Sequence, residues 1–133
     1  MKYSKATNYA LHMMAHLAVS SSNERVSVQQ LAEKQGLSPS YLSKILTRLA
    51  KAGMIESSPG VNGGYKLTPS WESISFLDVI HAIEGSASLF DGCLNGNPNC
   101  HIQKVMISAE EKMEEELRQQ KISDFVKQST RTF

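Results

Sequence analysis

A chain of 133 residues, 41% of them hydrophobic, builds one domain, or one domain with an appendage, around a modest core, and a large multi-domain enzyme is excluded. No apolar run reaches the ~18 residues a bilayer span needs. The opening "MKYSKATNYALHMMAHLAVSSS" sets two histidines and an asparagine where a signal peptide needs an unbroken apolar stretch, so a cytoplasmic protein with no membrane partner is expected. The net charge of +1 conceals a division. Residues 1–70 carry eight Lys or Arg against three Glu, whereas residues 71–133 carry six against ten acidic residues. The first half is composed to meet a polyanion and the second half is not.

In chain order, Ala6, Ala10, Leu11, Met14, Leu17 and Ala18 recur at helical spacing and predict an amphipathic helix from about Ser4 to Val19. Ser27 stands three residues before Gln30, a capping box, and the short helix it opens stops at Gly36. Ser38 and Pro39 then supply an N-cap and a first-turn proline for a third helix that closes at Gly53. Its stripe of Leu42, Ile45, Leu46 and Leu49 leaves Ser40, Lys44, Thr47 and Lys51 on the opposite, wet face. Two helices joined at Gly36 and Leu37 fit a helix-turn-helix, whose second member enters the major groove.

Behind that helix, "MIESS" and "YKL" predict short strands, and "PGVNGG" between them has the residues a hairpin turn tolerates. Glycines let backbone N–H groups come close to a phosphate, so the hairpin reads as a wing beside the groove. Ser75 and Asp78 cap a further helix, "FLDVIHAIEG", and residues 86–99 are turn-rich and aperiodic, a loop. From Cys100 onward Ile102, Met106, Ala109, Met113 and Leu117 form a narrow seam among glutamates, the pattern of a long exposed helix that meets a partner helix. Ser123 is placed to cap a last short helix through Asp124, Phe125 and Val126.

"ATNYALHMMAHLA", "LSPSYLSKILTRLAKAGMI", "GVNGGYKL" and "FLDVIHAIEG" together resemble the Rrf-two family of bacterial winged-helix transcription regulators, which includes the iron–sulfur, nitric-oxide and cysteine-metabolism regulators. The most specific residues are Tyr41 and Leu42 combined with Gly63, Gly64, Tyr65 and Leu67. The resemblance implies a mainly α fold: a winged helix-turn-helix with a two-stranded β wing and a long C-terminal dimerisation helix. It also implies a homodimer reading a roughly palindromic double-stranded DNA site, with half-sites about 34 Å apart. Residues 1–85 then form the DNA-binding domain, 86–99 a cysteine-containing sensor loop, and 100–133 the dimerisation helix and a short helix. At the wing the chain departs from the family, which commonly places an arginine ahead of the glycines. Here Ser58 and Pro59 precede Gly60, leaving backbone donors, Asn62 and Lys66.

Candidate DNA contacts follow. Ser40, Ser43, Lys44 and Thr47 are assigned to base edges or adjacent phosphates, with Ser38 at the helix start. Tyr41, Arg48 and Lys51 are assigned to phosphates, and Asn62, Gly63, Gly64 and Tyr65 to the wing contact. His12 and His16 have zinc-compatible spacing, but Met13 stands where a metalloprotease motif needs glutamate, so both read as helix-surface histidines. His81 reads as packing.

Cys93 and Cys100 are the two cysteines, and cluster-binding relatives carry three in this region. Asp91 or His101 would have to complete an iron–sulfur site, against the usual thiolate ligation, so no cofactor is the first expectation and a cluster the second. A thiol sensor is the favoured reading. "NPNC" sets Cys100 at a helix N-terminus, where free N–H groups favour the thiolate, His101 adjoins it, and Cys93 is the resolving partner.

A dimeric DNA-binding repressor responding to redox or thiol-reactive signals is therefore expected, and no residue is assigned a catalytic role. The alternatives are a cluster-dependent regulator and a winged-helix protein-interaction module without DNA. A thiol enzyme using Cys100 and His101 lacks an orienting third group.

Overall fold

The computed structural model describes residues 2–20, 24–61, 63–90, 92–124 and 126. Asn62, Asp91 and Phe125, which the sequence reading invoked, lie outside the described residues. The fold is the expected winged helix-turn-helix. Helix α1 (Lys5–Val19) is followed by α2 (Val28–Gln35), α3 (Pro39–Lys51), strands β1 (Ile55–Ser58) and β2 (Gly64–Leu67), α4 (Phe76–Glu84) and the long α5 (His101–Gln119). A single 3-10 turn at Trp71–Ser73 joins the wing to α4.

Local chemistry sets most of these boundaries. Ser4, Ser27, Ser38 and Ser75 each cap a helix with the hydroxyl accepting a first-turn N–H, and Ser27–Gln30 and Ser75–Asp78 complete reciprocal capping boxes. Gly36 ends α2 in the left-handed region at φ 66°. The apolar faces converge: Ala10, Met13, Met14 and Leu17 of α1, Leu31 of α2, Leu42, Ile45, Leu46 and Leu49 of α3, and Val79 and Ile83 of α4 make one core. Met13, which lies off the stripe read from the sequence, is wholly buried there.

Strands β1 and β2 pair antiparallel with Ile55 opposite Leu67 and Ser58 opposite Gly64. The sequence patterning did not reveal a third rung, Val26 bridging Tyr65 through N···O distances of 2.9 and 2.8 Å. That close approach requires glycine next door. A Cβ on Gly64 would stand 2.7 Å from the Val26 carbonyl oxygen, and Gly64 itself holds φ +141°. The start of α2 and the wing are thereby one unit.

Helix α5 buries none of its residues. It packs against α4, and just beyond its end the Phe76 N–H donates to the Gln120 oxygen at 2.8 Å and the Ile122 N–H to the Ile74 oxygen at 3.0 Å. Ile122 is 0% exposed, a side chain from beyond the long helix seated in the core of the first half. Ile102, Val105 and Met106 remain 67%, 51% and 41% exposed. Met113, expected in the same seam, instead accepts the Tyr3 hydroxyl on its Sδ at 3.9 Å. Among the described residues no helix is long and apolar enough to cross a membrane.

Candidate nucleic-acid interface and cysteine loop

Burial of Leu42, Ile45, Leu46 and Leu49 fixes the rotation of α3 and turns Ser40, Lys44, Thr47 and Lys51 to solvent together. Ser43 is half-buried beside them, and its carbonyl accepts the Thr47 hydroxyl at 2.8 Å. An α-helix carrying hydroxyls and ammonium groups on one exposed face offers donors to base edges and phosphates. Ser38 sits at the head of this face, where its hydroxyl accepts the Tyr41 N–H at 3.3 Å.

Tyr41 and Arg48 lie on the flank of α3. The Tyr41 ring meets Tyr9 of α1 edge to face, centroids 6.1 Å apart, and Arg48 Nη1 donates to the Ile83 carbonyl of α4 at 3.2 Å. Both side chains are exposed as well as making these contacts.

At the wing, Gly63 and Gly64 are half-buried, and a Cβ on Gly63 would collide with the Ser58 oxygen at 2.1 Å. Tyr65 pairs with Val26 and lies against the core. Lys66, half-buried, stands opposite Glu56 in the sheet register. Val61 stands fully exposed at the tip, an apolar side chain that no sequence pattern marks because a lone valine in a turn has none.

His12 Nδ1 donates to the Asn8 carbonyl at 2.9 Å. The His16 pKa is lowered, first by burial and then by the ammonium of Lys34 and by His12. These two residues belong to the packing of α1.

In the loop before α5 Cys93 and Cys100 are both free thiols, and neither is joined in a disulfide. The Cys93 pKa is lowered from its ordinary value, chiefly by the N–H of Asn97, then by that of Asn95 and by the Cys100 thiol, with a smaller share from Gly96. Donors aimed at sulfur stabilise the thiolate. Beside Cys100, the expected activated thiol, Cys93 is thus a second candidate for the reactive thiol. Cys100 occupies the N-cap of α5 without its side chain accepting from the first turn.

The loop is tied to α5 at two heights. The Cys93 N–H donates to Gln103 Oε1 at 3.1 Å, and Ser88 Oγ and the Leu89 N–H donate to the Glu110 carboxylate at 2.6 and 2.8 Å. Among the described residues no three His, Cys, Asp or Glu side chains gather as a metal set. An iron–sulfur cluster takes four ligands, chiefly thiolates, and the loop supplies two free cysteines, Cys93 and Cys100.

A family model described as "Rrf2: Iron-dependent Transcriptional regulator" matches residues 3–128. Protein rrf2 of Nitratidesulfovibrio vulgaris is 34% identical over 108 residues, covering 81% of this chain and 71% of that protein. The structure of CymR (YrzC), the global cysteine regulator of B. subtilis, superposes with a TM-score of 0.84 at 25% identity, covering 98% of this chain and 99% of that one. The oxidized form of Staphylococcus aureus CymR superposes at 0.77 with 28% identity, covering 95% and 96%. With the wing, the helix-turn-helix and nearly the whole length accounted for, the chain belongs to the Rrf2 family of transcriptional regulators.

Proposed function

We propose that the chain acts in the cytoplasm as a homodimeric repressor on a roughly palindromic double-stranded DNA site, and that oxidation at Cys93, with Cys100 resolving, alters its hold on DNA. The observation that carries the reading is the exposed face of Ser40, Lys44, Thr47 and Lys51 beside a glycine-built wing. The exposed Ile102, Val105 and Met106 of α5 supply an apolar stripe for a second copy.

The thiol chemistry balances with a peroxide as oxidant. The Cys93 thiolate attacks one peroxide oxygen and breaks the O–O bond, giving a sulfenic acid and hydroxide, which takes a proton to become water. Cys100 then displaces the sulfenic oxygen as a second water and leaves a disulfide. Cys100, whose thiol is among the groups that lower the Cys93 pKa, is the partner for this second step, and the loop's ties to Gln103 and Glu110 pass a change there to α5.

The test is selection of DNA from a random pool by the reduced protein, followed by fluorescence anisotropy across a salt series before and after peroxide. A selected palindrome, a steep salt slope and an affinity change of about tenfold or more on oxidation that Cys93→Ser abolishes are the expected results. A pool from which no sequence is enriched would sink the DNA assignment. An identical peroxide response in Cys93→Ser would sink the thiol assignment.

A further inference from the structure

We infer that the cavity between α4, α5 and the N-terminal residues is an effector site for a small apolar organic cation, whose occupancy resets the affinity for DNA. The binding claim stands alone; the consequence for DNA rests on the reading proposed above.

The cavity measures about 450 Å³, within the ~300–1,000 Å³ usual for small-molecule sites. Leu77 and Ile80 of α4 form one wall, and Leu89 and Met113 face them from the loop and α5. Tyr3, whose hydroxyl rests on the Met113 sulfur, adds an aromatic surface.

Into this apolar setting three carboxylates are placed, Glu84, Glu110 and Glu114, against the single ammonium of Lys2, with His81 and the Tyr3 phenol as the other titratable groups. Glu84 and Glu110 each accept two hydrogen bonds from the body, and both pKa values are lowered by them. They remain anions at neutral pH. An anionic ligand meets repulsion there, and a neutral apolar one strips water from carboxylates without replacing it. A cation with an apolar body meets both demands.

The orientation of α5 keeps the cavity distinct from the proposed dimer surface. Glu110 and Glu114, one turn apart, line the side toward α4, whereas Ile102, Val105 and Met106 are left to solvent.

The carboxylates are also structural fasteners. Glu84 Oε2 accepts the Ser4 N–H at 2.6 Å and the Thr7 hydroxyl at 2.9 Å, and the adjacent Ile83 carbonyl holds Arg48 of the recognition helix. Glu110 holds Ser88 and Leu89 of the cysteine loop. A cation drawing on these oxygens competes with those bonds, and so biases the struts that set α3 and the loop.

The test titrates the full chain calorimetrically with benzyltrimethylammonium, then with benzyl alcohol and benzoate. The expected result is saturable binding of the cation, at least about tenfold weaker binding of both analogues, and a similar loss in Glu110→Gln. Ala87→Phe, which fills the cavity from an exposed loop position, should abolish binding while leaving the thermal melt in place. Equal affinity for benzyl alcohol, unchanged binding in Ala87→Phe, or no saturable binding would each overturn the site. Anisotropy on the selected DNA should then change by severalfold when the cation saturates. A saturated protein with unaltered DNA affinity would overturn the effector role. Because the calorimetry needs no DNA, its outcome is independent of whether the chain binds DNA at all.

Discussion

Arg48 of the recognition helix donates through Nη1 to the backbone oxygen of Ile83, 3.2 Å away, and so pins the flank of α3 to the last turn of α4. Sequence spacing had pointed this guanidinium at phosphate. Arg48→Ala should cost about 1 kcal/mol of stability, a charged hydrogen bond discounted for partial exposure. DNA affinity should fall while the slope of log affinity against log salt stays as in the parent, because no phosphate neutralisation is lost. A slope shallower by about 0.9 would show a phosphate contact instead.

Lys44 is the reverse case, an ammonium on the exposed face of α3. Lys44→Ala should leave the melting temperature within about 0.5 kcal/mol of stability of the parent and weaken binding to the selected DNA by about 1–3 kcal/mol. Paired chemical denaturation and anisotropy curves separate the two effects.

Ile122 and Ile102 should behave oppositely on truncation. Ile122→Ala opens a cavity in a side chain that is 0% exposed and should destabilise the fold by about 2–5 kcal/mol. Ile102→Ser, at a position 67% exposed, should leave secondary structure intact and shift the sedimentation of the protein toward monomer. A dimer of unchanged strength would show that the stripe on α5 is not the contact between copies.

Cys93 should alkylate with iodoacetamide at a lower pH than an ordinary thiol, since N–H donors from Asn97 and Asn95 and the Cys100 thiol favour its thiolate. Cys100→Ala removes one of those donors, so the midpoint of the Cys93 rate against pH should rise. A midpoint that falls or stays fixed contradicts the thiol contact.

Glu84 links stability to acid. Its pKa is lowered by the Ser4 N–H first and by Thr7 and Arg48 among the lesser causes. A depressed carboxyl contributes stability that is complete above the ordinary carboxylate range and is lost as pH falls through the folded-state value. Glu84→Gln should therefore lower stability at neutral pH and flatten its decline in acid, read from melts across a pH series.

Helix starts and stops, the buried stripe of α3 and the wing turn were legible because each depends on residues within a few positions of one another: Ser27 with Gln30, Ser75 with Asp78, Gly36 at a left-handed stop. A capping hydroxyl or a glycine acts on the nearest turn, whatever the rest of the chain does. The relationships that arrange the proposed sites are of another kind. Val26 against Tyr65, Arg48 against Ile83, and Ile122 in the core of the first half join segments far apart in the chain. No periodicity marks them, since they arise only when elements meet. The same holds for the two cysteines. Helix-end chemistry at Cys100 is a local inference, whereas the lowered Cys93 pKa depends on amides brought near it by the fold of the loop. Those amides belong to Asn97, Asn95 and Gly96.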